Sequence, residues 1–254
     1  MYSVLCDFDG TLVKNNRTLN KDDVFKLKNF TANNHICIVS NSSISELTDF
    51  INLYDLDCDI FSISSNILYI NGEYKLDLIS NKVINRIFMD FKDYIYTAWS
   101  ETVKNTLIYN FLDRLEFIYP KFNRLKISFI NEDLCELSVA IENNKAVDFK
   151  KALDENGLYY ETFAKDKNRE LIMVYKHKID KSYASKVMKE AYNDKKIVGI
   201  TDSYSDIDMI NLCDIKVAMI NGDDKIKQAC DYITKYDNNN GGAIKFLDDL
   251  CHLK

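Results

Sequence analysis

The sequence predicts an α/β fold in which a doubly wound parallel sheet carries an inserted α+β module. Three observations point there. The chain opens with strand-length apolar runs alternating with helical patterns, "YSVLCDF", "NKDDVFKLKNFTAN", "HICIVS" and "SISELTDFINLY". It closes the same way, with "KSYASKVMKEAY", "KIVGIT", "SDIDMINLC", "IKVAMI" and "DKIKQAC". Between them, residues 74–178 read as strands in succession around a helix. Strand–helix alternation implies parallel strands with short connections, whereas strands in series do not. The expected division is a core from 1–73 and 179–254, with 74–178 inserted.

The elements follow in order. "YSVLCDF" is a strand ending at acids and a glycine. In the next segment Val24, Leu27, Phe30 and Ala32 fall near helical spacing, and Asn20 is placed to cap the helix. "HICIVS" is β-branched and ends at Ser40; Ser43 then caps a helix, with Glu46 three residues on as in a capping box. "DIFSIS" is a third strand, and "NILYINGEYKLDLI" a hairpin, because Asn71-Gly72 suits a tight turn. In the insertion "RLKISFI", "LCELSVAI", "LYYETFA" and "ELIMVYKHKI" read as strands and "NKAVDFKKALDEN" as a helix, while 80–118 carries no assignment. "YDNNNGGAIKFLDDL" is a polar loop bending at Gly241-Gly242 into a closing helix.

At 254 residues the chain can bury a full core, and its 46% apolar and 28% charged residues are those of an ordinary globular protein. A net charge of −6 with no basic run argues against a nucleic-acid partner. No apolar run is long enough to span a bilayer, so no membrane partner is expected, and the N-terminus reads as a strand and not a signal peptide. Seven scattered cysteines with no C-x-x-C pair fit reduced thiols and a cytoplasmic setting. A monomer or weak homodimer is expected.

Four positions at or just beyond strand ends carry candidate chemistry. Loops there converge in an open parallel sheet. The first is Asp7-Phe8-Asp9-Gly10-Thr11. One carboxylate of the pair can attack phosphorus, given a cation such as Mg²⁺, and the other can handle protons. Gly10 permits the bend. The competing account is an acidic turn. The second is Ser40, a phosphoryl-oxygen donor or simply a cap. The third is Lys181, whose ammonium can bridge a carboxylate and a phosphate, or be a surface lysine; Lys186, one turn on, is its rival. The fourth is Asp202 with Asp206 in "TDSYSD", which can complete a metal site, although Asp206 also suits a helix N-terminus. Asp7, Asp9, Asp202 and Asp206 gathered at one edge would raise one another's pKa unless a cation neutralised them.

These residues resemble the haloacid dehalogenase-like hydrolase superfamily, and within it the Cof-type phosphatases. "DFDGTL", Ser40, Lys181, "DSYSDIDMI", "VAMINGDDKIKQACDYIT" and "NNNGGAIKFL" match in order along most of the chain. The resemblance implies a Rossmann-like core with a large α/β cap inserted at 74–178. It implies Asp7 as nucleophile and Asp9 as general acid–base that also offers its carbonyl to Mg²⁺. Ser40, Asn41 and Lys181 would hold the phosphate, Asp202 would ligate the metal and Asp206 would assist. Asn66 and Asn221 would lie near the substrate. There are departures. Ser40-Asn41-Ser42 replaces a Thr-Gly-Arg-like motif, removing an arginine near the phosphate; Thr201 and Ser182 replace glycines, and Ser205 an asparagine.

The expected activity is Mg²⁺-dependent hydrolysis of a small phosphomonoester, a sugar phosphate or nucleotide, through an aspartyl-phosphate. Two alternatives stand beside it: a phosphosugar mutase or phosphotransferase, and a phosphate-ester-binding regulator with weak catalysis. Specificity would lie in the insertion, whose arginines are Arg86, Arg114, Arg124 and Arg169.

Overall fold

The computed structural model describes residues 1–63, 66–101, 106–109, 124–127, 130–178, 180–192 and 196–252. Of the arginines named above, Arg114 lies outside them. In chain order the elements are β1 (Tyr2–Asp7), α1 (Lys21–Thr31), β2 (His35–Ser40), α2 (Ile44–Tyr54), β3 (Asp59–Ser62), β4 (Ile67–Ile70) and β5 (Glu73–Leu76). Then come α3 (Asn81–Phe91), β6 (Ile95–Glu101), β7 (Thr106–Tyr109), β8 (Arg124–Ile127), β9 (Glu136–Glu142), α4 (Asn143–Glu155), β10 (Tyr159–Lys165) and β11 (Arg169–Tyr175). Last are α5 (Ser182–Tyr192), β12 (Lys196–Thr201), α6 (Ile207–Asn211), β13 (Ile215–Ala218), α7 (Asp224–Ala229), β14 (Tyr232–Ile233) and α8 (Gly242–His252). Two compact units result, one of residues 1–63, 68–75 and 180–254, the other of 64–67 and 76–179.

The first unit is a Rossmann-like α/β layer structure around a sheet of order β14-β13-β12-β1-β2-β3-β4-β5. β1 lies at its centre, parallel to both β12 and β2. Helix α5 packs on β1 and β2, α2 on β3, and α1 on α8. Strands covered on both faces are apolar without alternation, and Val4, Leu5, Cys6, Cys37, Ile38 and Val39 are fully buried. The caps act as their residue types predict: Asn20 accepts from the Asp23 amide at 2.8 Å and Ser43 from that of Glu46 at 3.3 Å. Asn71 and Gly72 both take positive φ, 51° and 80°, the requirement of a type I′ hairpin turn.

Some expectations need correction. Helix α1 buries Asp23, Leu27 and Phe30, while Ala32 is exposed because the helix ends there and Ala32 is its C-cap. The last strand, β14, is only two residues long, too short for any period to announce it. The unassigned stretch begins with α3 and continues into β6 and β7.

The second unit is a six-stranded sheet of order β10-β11-β9-β6-β7-β8, antiparallel except for β7 with β8. Its core joins Ile84, Ile87 and Phe88 of α3 to Phe149 and Leu153 of α4 and to Val139 of β9. Burying a large apolar side chain of this kind stabilises by about 1.5–3 kcal/mol. Trp99 is buried as well, at 9% exposure. Among the described residues no helix is long and apolar enough to cross a membrane.

Candidate active site

Parallel register brings the candidate residues of the first unit together. β1 ends at Asp7, which lies level with Val39 of β2, one residue before Ser40. On the other side Cys6 pairs with Ile200, so Thr201 and Asp202 leave β12 beside Asp7. The carboxyl ends of three adjacent strands therefore deliver Asp7, Ser40 and Asp202 to one edge.

Lys181 reaches the same place from the start of α5. Its Nζ donates to Asp7 Oδ1 at 2.6 Å and lies 2.8 Å from each oxygen of Asp206. The ammonium is nearly enclosed, at 13% side-chain exposure, and Asp206 is fully so, at 1%. Burial works against the Lys181 charge, but Asp7 and Asp206 outweigh it and hold its pKa above the ordinary value. Lys186 is exposed on the same helix. Asp206 also accepts from Thr201 Oγ1 at 2.6 Å and from Ser205 Oγ at 3.2 Å. Its two oxygens thus receive Lys181, Thr201 and Ser205, an arrangement that anchors the lysine. The hydroxyls of Thr201 and Ser205 have clear uses here, although both depart from the family pattern.

Asp202 stands against the turn that follows β1. Thr11 Oγ1 donates to Asp202 Oδ1 at 3.4 Å. Gly10 has φ +75°, and a Cβ there would lie 2.2 Å from Asp202 Oδ2. Glycine is required twice over, for the conformation and for the space. Burial pushes the Asp7 carboxyl up to about 7, with Lys181 opposing and Asp206 and Asp202 adding to the rise. Burial raises Asp202 too. Three carboxylates thus face one ammonium.

Polar side chains hold the turn in shape. Asn221 Nδ2 donates to the Gly10 carbonyl at 2.8 Å, and Asn221 Oδ1 accepts from the Asn238 amide at 3.1 Å. Asn221 thus braces the turn through both ends of its amide. Asn238, buried at 4% exposure, donates to Val13 O and Asn15 Oδ1, both at 2.9 Å. This asparagine-rich segment, expected as a polar loop and as part of the family resemblance, thus braces the turn after β1.

The remaining candidates divide. Ser40 is buried and its Oγ accepts from the Ser42 amide at 3.0 Å, while Asn41 beside it is exposed. Asp9 points outward, half exposed, and both its oxygens accept from Arg17, Nε to Oδ1 at 2.8 Å and Nη2 to Oδ2 at 2.7 Å. Arg17 Nη2 also donates to Ser42 Oγ at 3.3 Å. An arginine therefore does stand beside the second motif, supplied by another loop, and no local pattern in the sequence reveals it. Asn66 belongs to the other unit, where its amide donates to Cys135 O at 3.1 Å. Among the described residues no group of three or more His, Cys, Asp or Glu side chains forms a ready-made metal cage.

A parallel α/β core, an inserted α+β unit and a lysine between two buried aspartates at the strand ends define a class of hydrolase. A family model described as haloacid dehalogenase-like hydrolase matches residues 4–247. The chain belongs to that family and is an enzyme of it. MG265 of Mycoplasma genitalium, which carries a provisional phosphatase name, is 25% identical over 275 aligned positions covering 96% of each chain. A phosphoglycolate phosphatase of Sulfurisphaera tokodaii is 32% identical over 117 residues, 45% of this chain and 49% of its own. In fold the chain is similar to TM0651 of Thermotoga maritima (TM-score 0.73, 19% identity, 98% and 96% coverage). It is also similar to the subclass IIB sugar phosphatase BT4131 (TM-score 0.61, 18% identity, 99% of each chain).

Proposed function

We propose that this hydrolase is a Mg²⁺-dependent phosphatase that cleaves a small phosphomonoester through an aspartyl-phosphate on Asp7. The observation that carries the reading is Lys181 bridging Asp7 and Asp206. An ammonium fixed on one oxygen of a buried carboxylate leaves the other to attack, and it neutralises charge on the transferring group. The phosphatase names of the relatives, and phosphoglycolate and sugar phosphates in particular, favour a small metabolite, a sugar phosphate or a nucleotide.

An Asp7 carboxylate oxygen attacks phosphorus while the bond to the leaving oxygen breaks, and the leaving oxygen takes the proton of the Asp9 carboxyl. Water then attacks the aspartyl-phosphate and gives its proton to Asp9, releasing inorganic phosphate and restoring Asp7. Ser40 accepts from a backbone amide, so its own proton is available for a phosphoryl oxygen, next to the Asn41 amide. Asp206, with Thr201 and Ser205, keeps Lys181 in place.

The site fits a hard dication. Its donors are oxygens, and two of its carboxylates, Asp7 and Asp202, have pKa values raised first by burial and further by the neighbouring carboxylates. Asp7, Asp202 and the Asp9 carbonyl would hold Mg²⁺, with water filling the other positions as this ion prefers. Two side-chain carboxylates and a carbonyl are consistent with no three-side-chain cage among the described residues. When bound, the ion supplies charge neutralisation at the transferring phosphoryl group. The unit of residues 76–179 would act as the cap that selects the substrate, and a cytoplasmic enzyme is the setting proposed.

A phosphometabolite panel with Mg²⁺, read by released phosphate, tests the reading. Asp7→Asn is expected to lose at least ~10³-fold in turnover while folding normally, as removal of a nucleophile does. Near-normal turnover by that variant would reject the mechanism. Transfer of phosphate to an added sugar would favour the mutase or phosphotransferase, and binding without turnover the regulator.

A further inference from the structure

We propose that the cavity between β14 and α8 is an effector site for a small aromatic acid, and that filling it steadies the turn of Asp9 and Gly10.

The hollow follows from helix period and a short strand. Gly242, Lys245, Phe246, Asp249 and Leu250 recur at helical spacing, so one stripe of α8 forms a wall. Opposite stand Tyr232 and Ile233 of β14, with Tyr236 beyond it. That strand is two residues long and covers little of the stripe. The cavity left is about 510 Å³, a volume in the range of small-molecule sites. Tyr232, Ile233 and Tyr236 are each about half exposed around it. Single apolar residues on a surface are ordinary, but a cluster about a hollow marks a binding site.

Charge and shape select the occupant. The rings of Tyr232 and Phe246 stand 5.9 Å apart and tilted by 53°, offering aromatic surface to a further ring. Asp249 lies 3.8 Å from Lys235 Nζ, so those two charges offset each other. Lys245 forms no ion pair among the described residues; its Nζ lies 4.2 Å from the centre of the Tyr236 ring. The Asp23 carboxyl of α1 feels its charge but does not line the cavity. An aromatic ring bearing one anionic group matches this lining, the anion meeting Lys245. A polypeptide does not, since a strand of two residues offers almost no edge to pair with.

The cavity is tied to the turn after β1. Tyr236 and Gly242 are the feet of one tight loop: the Gly242 amide donates to Asp237 O at 2.9 Å, and a Cβ on Gly242 would collide with Tyr236 O. Thr234 Oγ1 donates to Tyr236 O at 2.8 Å and accepts from the Ile220 amide at 3.0 Å. Between the feet sits Asn238, which bonds to Val13, Asn15 and Asn221, and Asn221 bonds to Gly10. A ligand that fits the cavity only with this loop in place favours that state, and the turn with it.

Anilinonaphthalene sulfonate, an aromatic body with one anion, is the probe, titrated by fluorescence into the full chain. Saturable binding at one site is expected. Ile233→Glu puts a like charge in the wall, and Lys245→Gln removes the partner of the anion. Each should raise Kd at least ~10-fold, the worth of a charged hydrogen bond or more. Lys186→Glu, on an exposed position of α5, should leave Kd unchanged. Thermal melts show that each variant is folded. With saturating probe, hydrogen exchange of the amides of residues 10–15 should slow at least ~5-fold, the low end for coupled sites. No saturable binding, or binding that both cavity variants leave untouched, overturns the site. Binding that they weaken, without slower exchange at residues 10–15, overturns the effector role. Neither readout uses turnover, so both outcomes are separate from the phosphatase reading.

Discussion

The ammonium of Lys181 lies 2.6 Å from Asp7 Oδ1 across 174 residues of chain, and the insertion occupies most of that interval. The same nitrogen is 2.8 Å from both oxygens of Asp206. Replacing Lys181 with Ala leaves two buried carboxylates facing each other without compensation. Turnover is expected to fall about 10²–10³-fold, the range for losing a group that stabilises transition-state charge. Thermal unfolding in chelator should also move to lower temperature. An Ala variant that melts later than the wild type would mean that the lysine does not serve to neutralise the pair.

Asp7 gives a pH dependence of opposite sense to an ordinary acidic group. Its carboxyl titrates near 7 in the metal-free fold and near 3.9 unfolded, so the folded state binds the extra proton between those values. Stability is therefore lost as pH rises from about 4 to about 7, and the deficit persists above that. In chelator Asp7→Asn should exceed the wild type in stability at pH 8 by about 1–4 kcal/mol, with the gap closing towards pH 4. Urea titrations across this range measure it, and a gap that widens on acidification would contradict the assignment.

Gly10→Ala isolates the packing of the turn on Asp202. The added methyl would sit 2.2 Å from Asp202 Oδ2, at a φ of +75°. The carboxylate has to move, so the Mg²⁺ concentration for half-maximal activity is expected to rise at least ~10-fold, as misplacing a metal-site group does. A Mg²⁺ titration of initial rates decides this, and an unshifted midpoint would place the metal elsewhere.

Glu170 ties the second unit together electrostatically. It is 5% exposed, with Lys150 Nζ 2.5 Å from one oxygen and Lys165 on the other. Hydrogen bonds from Lys150 first, then from Lys165, lower its pKa. A depressed carboxylate contributes its stability above its unfolded pKa of about 4.3 and loses it as pH falls through the lower folded value. Glu170→Gln should cost about 1.5–3 kcal/mol at pH 7, the range for hydrogen bonds to a charged group, and little at pH 3. Chemical denaturation at the two pH values is the check.

Period and capping made the core readable from the chain alone. Fully buried parallel strands leave continuous apolar runs, and Asn20, Ser43 and Asn71-Gly72 announce caps and a turn by local chemistry. The acids Asp7 and Asp202 could be nominated because they end such runs. Contacts across the fold carry no sequence period. Arg17 reaches Asp9, Ser42 and Glu46 only because a left-handed residue in a tight loop aims it there. The engagement of Asn221 by Gly10 and Asn238, and of Asp206 by Thr201 and Ser205, likewise depends on strand order and register. The sequence by itself determined which groups stand at the strand ends, since burial and backbone geometry select residue types locally. Which of them point at one another was decided by the tertiary structure alone, since hydrogen bonds and charge pairing act on distances that chain order does not encode.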